Sequence, residues 1–241
     1  MPFLLSIVMA AVGLYIRLGV LETPAFQRLL AQKRVEQAPV LEVIRRQPKE
    51  IVLAALAKTG EIAPAYIYLA FIFVYGSQVL HVGREFILSG VIAGCLLSFV
   101  VTPLSGYLSD RIGRKRMYLL SAIGMGIFGF FYFAMLNSLV PAVMFIGIVL
   151  SWMMHGLMYG PQAALIAECF TPRLRYSGCS LGYHLAAVTG GPAPLIATVL
   201  LAWTGSGYAI ACYIAACALV SIIATILMPD YTNRDISEEH A

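Results

Sequence analysis

Ionisable and polar side chains occur inside long apolar stretches of this sequence, at spacings that place them on one helical face. In the stretch 51–77, Lys58 and Glu61 are three residues apart. Tyr68 and Tyr75 follow Glu61 at heptad spacing, which keeps them on the same side of a helix. A charge among apolar residues is costly unless it faces a partner or a wet cavity. Glu61 is therefore the leading candidate for binding a proton or a substrate. The alternative is that Lys58 and Glu61 pair near one end of the helix and only anchor it.

A second polar stripe occupies the stretch 140–162. Its members, separated by four, four and three residues, are Ser151, His155, Tyr159 and Gln162. These steps place all four on one face of a helix. His155 lies near the middle of the stretch, and an imidazole can take up or release a proton near neutral pH. The alternative is a histidine that only forms a hydrogen bond with a neighbouring helix.

The stretch 177–202 combines polar residues with a break. His184 shares a face with Ser177 and Ser180, and the segment Gly190–Pro194 interrupts the helix pattern. Such a break frees backbone carbonyls, which membrane helices tolerate where the backbone is buried or lines water. The pattern indicates a hinge or a cavity wall. Small residues in this stretch also favour close helix packing, which is the structural alternative.

Composition indicates the class of protein that positions these residues. Of the 241 residues, 60% are hydrophobic and 12% charged, and the mean hydropathy is +0.84. These values are typical of helical membrane proteins that cross the bilayer several times. The five cysteines lack metal or redox spacing, and no nucleotide loop, metal cluster or nucleophile–base–acid set is visible. We therefore expect a lipid bilayer as partner, and no enzyme activity, cofactor, metal or nucleic acid.

Seven apolar segments predict seven transmembrane helices and an all-α membrane protein. A helix needs ~20 apolar residues to cross the hydrocarbon core, and the first segment is shorter than this. The segments are 2–16, 51–77, 86–104, 117–136, 140–162, 177–202 and 208–228.

The basic residues predict the orientation of these helices. Most of the 16 lysines and arginines fall in 17–50, 105–116, 163–176 and the C-terminal tail. Basic residues are retained on the cytoplasmic side, which predicts an outside N-terminus and a cytoplasmic C-terminus. The connection 17–50 is too long for a turn, and we expect surface helices there, the first starting at Glu22-Thr23-Pro24. The predicted division is a partial transmembrane helix at 1–17, a cytoplasmic linker at 18–50, a six-helix bundle at 51–228 and a tail at 229–241.

Two clusters of charge lie at the predicted cytoplasmic ends. In the first, Gly106 allows backbones to approach, Gly113 can adopt a positive φ, and Asp110 can meet Arg114 one helical turn later. The second cluster combines Glu168 with Arg173 and Arg175 and is either a gate or a helix cap. Arg111, Lys115 and Arg116 complete the basic residues of the first cluster.

These residues resemble known transporter motifs. Residues 106–116, GYLSDRIGRKR, resemble without a gap the loop signature of the major facilitator superfamily, G-x-L-(S/A)-D-R-x-G-R-(K/R)-(K/R). Three further segments resemble the metabolite:proton symporter family, whose members carry shikimate, 2-oxoglutarate, citrate and proline or betaine. They are Tyr15–Arg17 with Glu22–Phe26, Gly160–Glu168, and Thr171–Gly178 with Ser180–Tyr183. The family usually has glutamine at the position of His184.

The resemblance implies helices six to twelve of a twelve-helix carrier in the inner (plasma) membrane. It implies partners that include a small metabolite, a proton, and a missing N-terminal half or a second copy. The set Gly106, Asp110, Arg111, Gly113, Arg114 and Lys115 would then control the conformational change, with Asp110 docking on the other half. We expect no transport by this chain without that half. Two alternatives remain, a seven-helix sensor or receptor, and an inactive fragment.

Overall fold

The computed structural model describes residues 2–19 and 39–229, with side chains for 6–19 and 40–229. The chain divides into two compact units, Met1–Gln37 and Ala38–Ala241. In the first unit, α1 is an apolar helix of 18 residues, Pro2–Gly19, with Arg17 in its last turn. The predicted helix start at Glu22 and the tail beyond residue 229 lie outside the described residues.

The described part of the second unit is helical and contains no β-strand. Six of its helical segments are long and apolar enough to cross a membrane, which confirms the predicted all-α membrane fold. The elements are α2 (Pro39–Arg46), α3 (Pro48–Leu80), α4 (Arg84–Ile112), α5 (Arg114–Asn137), α6 (Pro141–Glu168), α7 (Arg175–Gly190), α8 (Ala193–Thr204) and α9 (Gly207–Leu227). Helices α7 and α8 form one span with a break at Gly191 and Pro192. Helix α2 lies in the predicted linker.

The helices extend beyond the apolar stretches that predicted them. Helix α4 continues to Ile112 and α5 begins at Arg114, so Gly113 alone separates two helices where a loop over 105–116 was expected. The expected loop at 163–176 is likewise helical as far as Glu168. Hydropathy marks only the part of a helix that matches the hydrocarbon thickness, whereas backbone hydrogen bonds continue into polar surroundings.

Helices α4 and α5 follow each other in the chain but make only a minor contact with one another. Each of them packs more extensively against α6 than against the other, and α5 also packs along α9. The closest approach of α4 and α6 is at Gly160, where an added Cβ would lie 2.5 Å from the Thr102 carbonyl oxygen and 2.8 Å from the Gly106 nitrogen. A Cβ on Gly106 would meet nothing nearer than 3.7 Å. The backbone approach therefore depends on Gly160, and the prediction assigned it to Gly106.

Pro161 interrupts the hydrogen bonds of α6 next to this approach. A proline has no N–H, so the carbonyl four residues earlier, that of Leu157, loses its helical partner. Ser105 Oγ replaces it by donating to the Leu157 oxygen at 2.6 Å. Ser121 Oγ lies 3.1 Å from the same oxygen and shares its one hydrogen between it and the Met117 carbonyl at 2.9 Å. Neighbouring helices α4 and α5 thereby satisfy a backbone group that would otherwise be unpaired in an apolar interior.

Substituting Gly113 with alanine is expected to destabilise the chain by about 1–2 kcal/mol, because a Cβ is strained at positive φ. Gly113 has φ +101°, and its N–H donates to the Ser109 carbonyl to close α4. The unfolding temperature in detergent measures the loss. Gly83→Ala is the matched control, because Gly83 has φ −63° and open space around it. Equal stability of the two variants would show that the φ value is not constrained.

Candidate functional site

A buried polar network joins the two stripes that the sequence predicted. Lys58 and Glu61 of α3 are 6% and 3% exposed. Lys58 Nζ donates to Glu61 Oε2 at 3.0 Å and to Gln162 Oε1 at 2.9 Å. The second carboxylate oxygen, Glu61 Oε1, lies 2.7 Å from His155 Nε2. The carboxylate thus has a cationic partner on its own helix and an imidazole on α6.

Gln162 and Tyr118 connect this network to the helix backbone. Gln162 Nε2 donates to the Tyr118 hydroxyl at 3.1 Å and to Glu61 Oε2 at 3.3 Å. Tyr118 of α5 in turn donates to the carbonyl oxygen of Ala57 at 2.8 Å. Partners on two helices, α3 and α5, therefore hold the amide of Gln162 in one orientation, with its oxygen toward Lys58.

Aromatic rings enclose the two basic groups. The Lys58 ammonium lies 4.2 Å from the centre of the Tyr183 ring on α7, a distance typical of cation–π contacts. The Tyr159 ring stacks on His155 with 5.4 Å between centroids, and Trp152 contacts the other side at 5.4 Å. The rings limit access of water to the ion pair, which strengthens its electrostatic interaction.

The network lies midway along its helices. By a rise of ~1.5 Å per residue, Glu61 is about 20 Å from the start of α3 at Pro48. His155 is likewise halfway along α6. If Lys58 and Glu61 only anchored one end of α3, they would be expected near that end. They instead lie near the middle of the helix.

A cavity of about 380 Å³ adjoins His155 between α4 and α6. Among the described residues, two that line it have a buried nitrogen without a hydrogen-bond partner, Trp152 Nε1 and His155 Nδ1. Buried polar groups are normally paired, so two unpaired ones at a cavity indicate a place for a ligand with acceptor atoms. The lining consists of Cys95, Ser98, Phe99, Thr102, Pro103, Trp152, His155 and Tyr159.

The two nitrogens of His155 can link protonation to ligand binding. When Glu61 is ionised it accepts a hydrogen bond, so the Nε2 facing it carries the hydrogen. Neutral His155 then has a lone pair at Nδ1, whereas protonated His155 has a second N–H there. A carboxylate in the cavity therefore meets a donor at Nδ1 only in the protonated state.

Three predicted site residues do not belong to the Glu61–His155 network. Tyr68 and Tyr75 are each 1% exposed and belong to an aromatic core between α3 and α5. The Tyr68 ring contacts that of Tyr132 at 4.8 Å, and the Tyr75 hydroxyl donates to Asn137 at 2.6 Å. They face inward as the heptad spacing predicted, but α5 covers that part of α3. His184 is exposed on α7 next to Tyr183.

The basic cluster forms a second group of contacts at the α4–α5 break. Arg114 donates to Asp110 Oδ1 at 2.9 Å, as their spacing predicted, and also pairs with Glu168 at the end of α6. Arg111 donates to the Tyr107 hydroxyl on its own helix. Lys115 Nζ donates to the carbonyl oxygens of Ile226 and Met228 at the end of α9. The cluster joins the ends of four helices, and the partly buried Arg173 and Arg175 follow Glu168 in the sequence.

Comparison with known proteins shows the family. The model of the Major Facilitator Superfamily matches residues 1–175 and, in a second alignment, 87–240. The chain belongs to the major facilitator superfamily.

Among relatives of this major facilitator chain, the shikimate transporter of Escherichia coli is 31% identical over 95% of the chain and 53% of its own length. The inner membrane metabolite transport protein YhjE of the same organism is 27% identical, covering 98% and 54%. A putative proline/betaine transporter of Staphylococcus aureus is 27% identical, covering 92% and 48%. The chain thus spans about half the length of these relatives.

The family model and these relatives place the chain in a family of metabolite transporters, as the resemblance implied, and none of the three relatives is named as an enzyme. They also favour a carrier over the seven-helix receptor that the number of apolar segments allowed. Within the described residues of this major facilitator chain, no group of histidine, cysteine and acidic residues could hold a metal ion.

Three residues of the network were not predicted as site residues: Tyr118, Trp152 and Tyr183. Tyr183 stands inside one of the resembling motifs, and Trp152 is three residues before His155 on the same helix. Tyr118 follows the basic cluster at the predicted membrane boundary, and nothing in its own spacing indicates that it contacts Gln162. Polar aromatic residues within one turn of a candidate histidine are the signal that could have identified Trp152.

Proposed function

We propose that this chain is the C-terminal part of a proton-coupled secondary transporter for a small organic acid or a zwitterionic metabolite. The observation that carries the proposal is the position of His155. Its Nε2 contacts the buried Glu61 carboxylate, its Nδ1 has no hydrogen-bond partner, and its ring lines a cavity. One imidazole thereby contacts both a charged network and a volume suited to a ligand.

The charge of the network supports coupling between a proton and an anionic group. Lys58 and Glu61 together are neutral, so a proton on His155 adds one uncompensated positive charge to an apolar interior. Such a charge is costly unless a counter-charge is near. A substrate carboxylate in the cavity supplies that charge and accepts the new N–H at Nδ1. Proton and carboxylate therefore bind more tightly together than either does alone.

The named cargoes of the relatives agree with this chemistry. One relative is named for shikimate and another for proline or betaine. All three compounds carry a carboxylate, and the last two are zwitterions with a positive nitrogen. A carboxylate is thus the shared group that His155 and the Trp152 indole N–H would bind, and the remaining groups would be recognised by other parts of the carrier.

Transport by alternating access requires two bundles that rock about a central site. The bundle formed by α3–α9 is one of them, and we assign the other to an N-terminal half or a second copy. The contacts of Asp110, Arg114 and Glu168 tie α4, α5 and α6 together at one membrane face. The distribution of basic residues favours the cytoplasmic side for that face, in an inner membrane with the N-terminus outside. We assign this cluster the control of the rocking motion.

Reconstitution in liposomes tests the proposal. The 241-residue chain is compared with a fusion that places the unmatched N-terminal part of the E. coli shikimate transporter before it. With an alkaline interior, the fusion is expected to accumulate labelled shikimate, 2-oxoglutarate, citrate or proline, and a protonophore should abolish accumulation. The chain alone should give only background uptake.

Two variants of the fusion separate coupling from folding. His155→Gln should lose accumulation driven by the pH gradient, because glutamine can contact Glu61 but cannot take up the proton. His81→Gln, in the connection between α3 and α4, is the matched control and should retain it. Uptake by the fusion at the same rate with and without a pH gradient would contradict the proposal. Uptake by the chain alone would also contradict it, unless the chain is shown to be a dimer.

A further inference from the structure

A groove without any polar side chain runs along the outside of the bundle between α5 and α9. It has a volume of about 450 Å³ and is lined on α5 by six residues from Ala122 to Phe131, and on α9 by four residues from Ala215 to Ile222. Its floor is narrow, because a Cβ on Gly126 would lie 3.1 Å from the Ala218 Cβ. A small residue on each helix thus leaves room above the contact.

The length of the groove fits one leaflet of a bilayer. From Ala122 to Phe131 the rise along α5 is about 14 Å. Half of the ~30 Å hydrocarbon core is ~15 Å. A single acyl chain that lies in the groove would therefore contact it across most of one leaflet.

A basic residue lies about 9 Å beyond one end of this groove, six residues before Ala122 on α5. Arg116 precedes Ile123 by seven residues and Ile127 by eleven, close to two and three helical turns, so all three share one face of α5. Arg116 is exposed, and no carboxylate within the described ranges forms an ion pair with it. The adjacent Lys115 differs, because its ammonium is bound by the carbonyl oxygens at the end of α9. Arg116 is thus available to a phosphate at the membrane surface.

We infer that this groove is a binding site for one anionic phospholipid, with an acyl chain between α5 and α9 and its phosphate on Arg116. An arginine matches a phosphate with two parallel hydrogen bonds, and its apolar stem can lie along the groove mouth. The site is separate from the Glu61–His155 network and does not depend on transport. A lipid bound there would bridge α5 and α9 beside the contact of Lys115 with the end of α9.

Native mass spectrometry of the 241-residue chain, released from detergent with added lipid, tests the site. With dioleoyl phosphatidylglycerol and dioleoyl phosphatidylcholine supplied equally, we expect one bound lipid and about a five-fold preference for the anionic one, the effect of one basic residue near a membrane surface. Arg116→Gln should reduce the preference to about one, and Arg116→Lys should keep most of it. Glycerol phosphate, which has no acyl chain, should not compete.

A second experiment fills the groove with a larger side chain. Ala215→Leu should lower the binding of both lipids at least several-fold, because its larger side chain occupies the acyl position. Ala216→Leu, one residue further on the same helix and outside the groove lining, should bind like the wild type. Unfolding temperatures of all variants establish that each is folded. Equal binding of both lipids, or no effect of Ala215→Leu, would overturn the inference. A dimer that Ala215→Leu abolishes would also overturn it, since a second copy would then cover the groove.

Discussion

The Glu61→Gln variant of the 241-residue chain is expected to unfold about 10 °C below the wild type. The substitution leaves the Lys58 ammonium, 6% exposed, without its carboxylate. Removing one partner of a buried ion pair costs about 3–5 kcal/mol. For a chain of this size each kcal/mol corresponds to roughly 2–4 °C. The fluorescence of the two tryptophans, followed on heating in detergent, provides the measurement.

Matched variants show whether the loss comes from the unpaired lysine. Glu85→Gln removes a carboxylate at the exposed start of α4 and should change the unfolding temperature little. The double variant Lys58→Met with Glu61→Gln should recover part of the loss, because no buried charge remains. Lys58→Met alone should cost less than Glu61→Gln, since His155 can still supply a positive charge to Glu61. An unchanged unfolding temperature for Glu61→Gln would show that the pair is solvated, and the proton site would lose its physical basis.

The Gly160→Ala variant is expected to destabilise the chain by about 3 kcal/mol, at the upper end of the usual cost of overpacking. The added Cβ would lie 2.5 Å from the Thr102 carbonyl oxygen and 2.8 Å from the Gly106 nitrogen. Both are backbone atoms, so relief requires α4 and α6 to move apart. That movement would also lengthen the bond from Ser105 to the Leu157 carbonyl. Unfolding temperature and helix content by circular dichroism measure the effect.

Two other glycines make this experiment specific. Gly106→Ala faces Gly160 across the same contact, but its Cβ would meet the nearest atom at 3.7 Å. Gly124→Ala on α5 would meet only Met154 Sδ at 3.8 Å. Both substitutions should leave the unfolding temperature within a few degrees of the wild type. If Gly106→Ala were as damaging as Gly160→Ala, the assignment of the close approach to Gly160 would be wrong.

The two helical stripes show how far spacing alone can lead. The stripe on α3 correctly placed Lys58 and Glu61 on one face, and the stripe on α6 did the same for His155 and Gln162. Spacing carries no information on which residue of one stripe meets which of the other. Glu61 and His155 are 94 residues apart, and Lys58 and Gln162 are 104 apart. Their meeting depends on how α3 and α6 pack.

The same limit explains the residues that do not join the network. Tyr68 continues the stripe of Glu61. The part of α3 that contains Tyr68 packs against α5, however, and the ring of Tyr68 there contacts the ring of Tyr132. The π-helical turns Ile67–Phe71 and Gly76–Leu80 shift the helical phase along α3, and the neighbour that the helix faces changes. Similarly, Gly106 and Gly160 both belong to resembling motifs, but the tighter demand for a glycine falls on Gly160 because of the local crossing of α4 and α6.

The amino-acid sequence alone determined the class of the protein, the six complete spans with a shorter first one, and the polar face of each helix. These follow from hydropathy and from helical periodicity, which are properties of neighbouring residues. The tertiary structure alone decided that Glu61 lies between Lys58 and His155, that the ring of His155 lines a cavity, and that α5 and α9 form an apolar groove near Arg116. The physical reason is that a contact between helices depends on their rotation and crossing, and the packing of the whole bundle sets both.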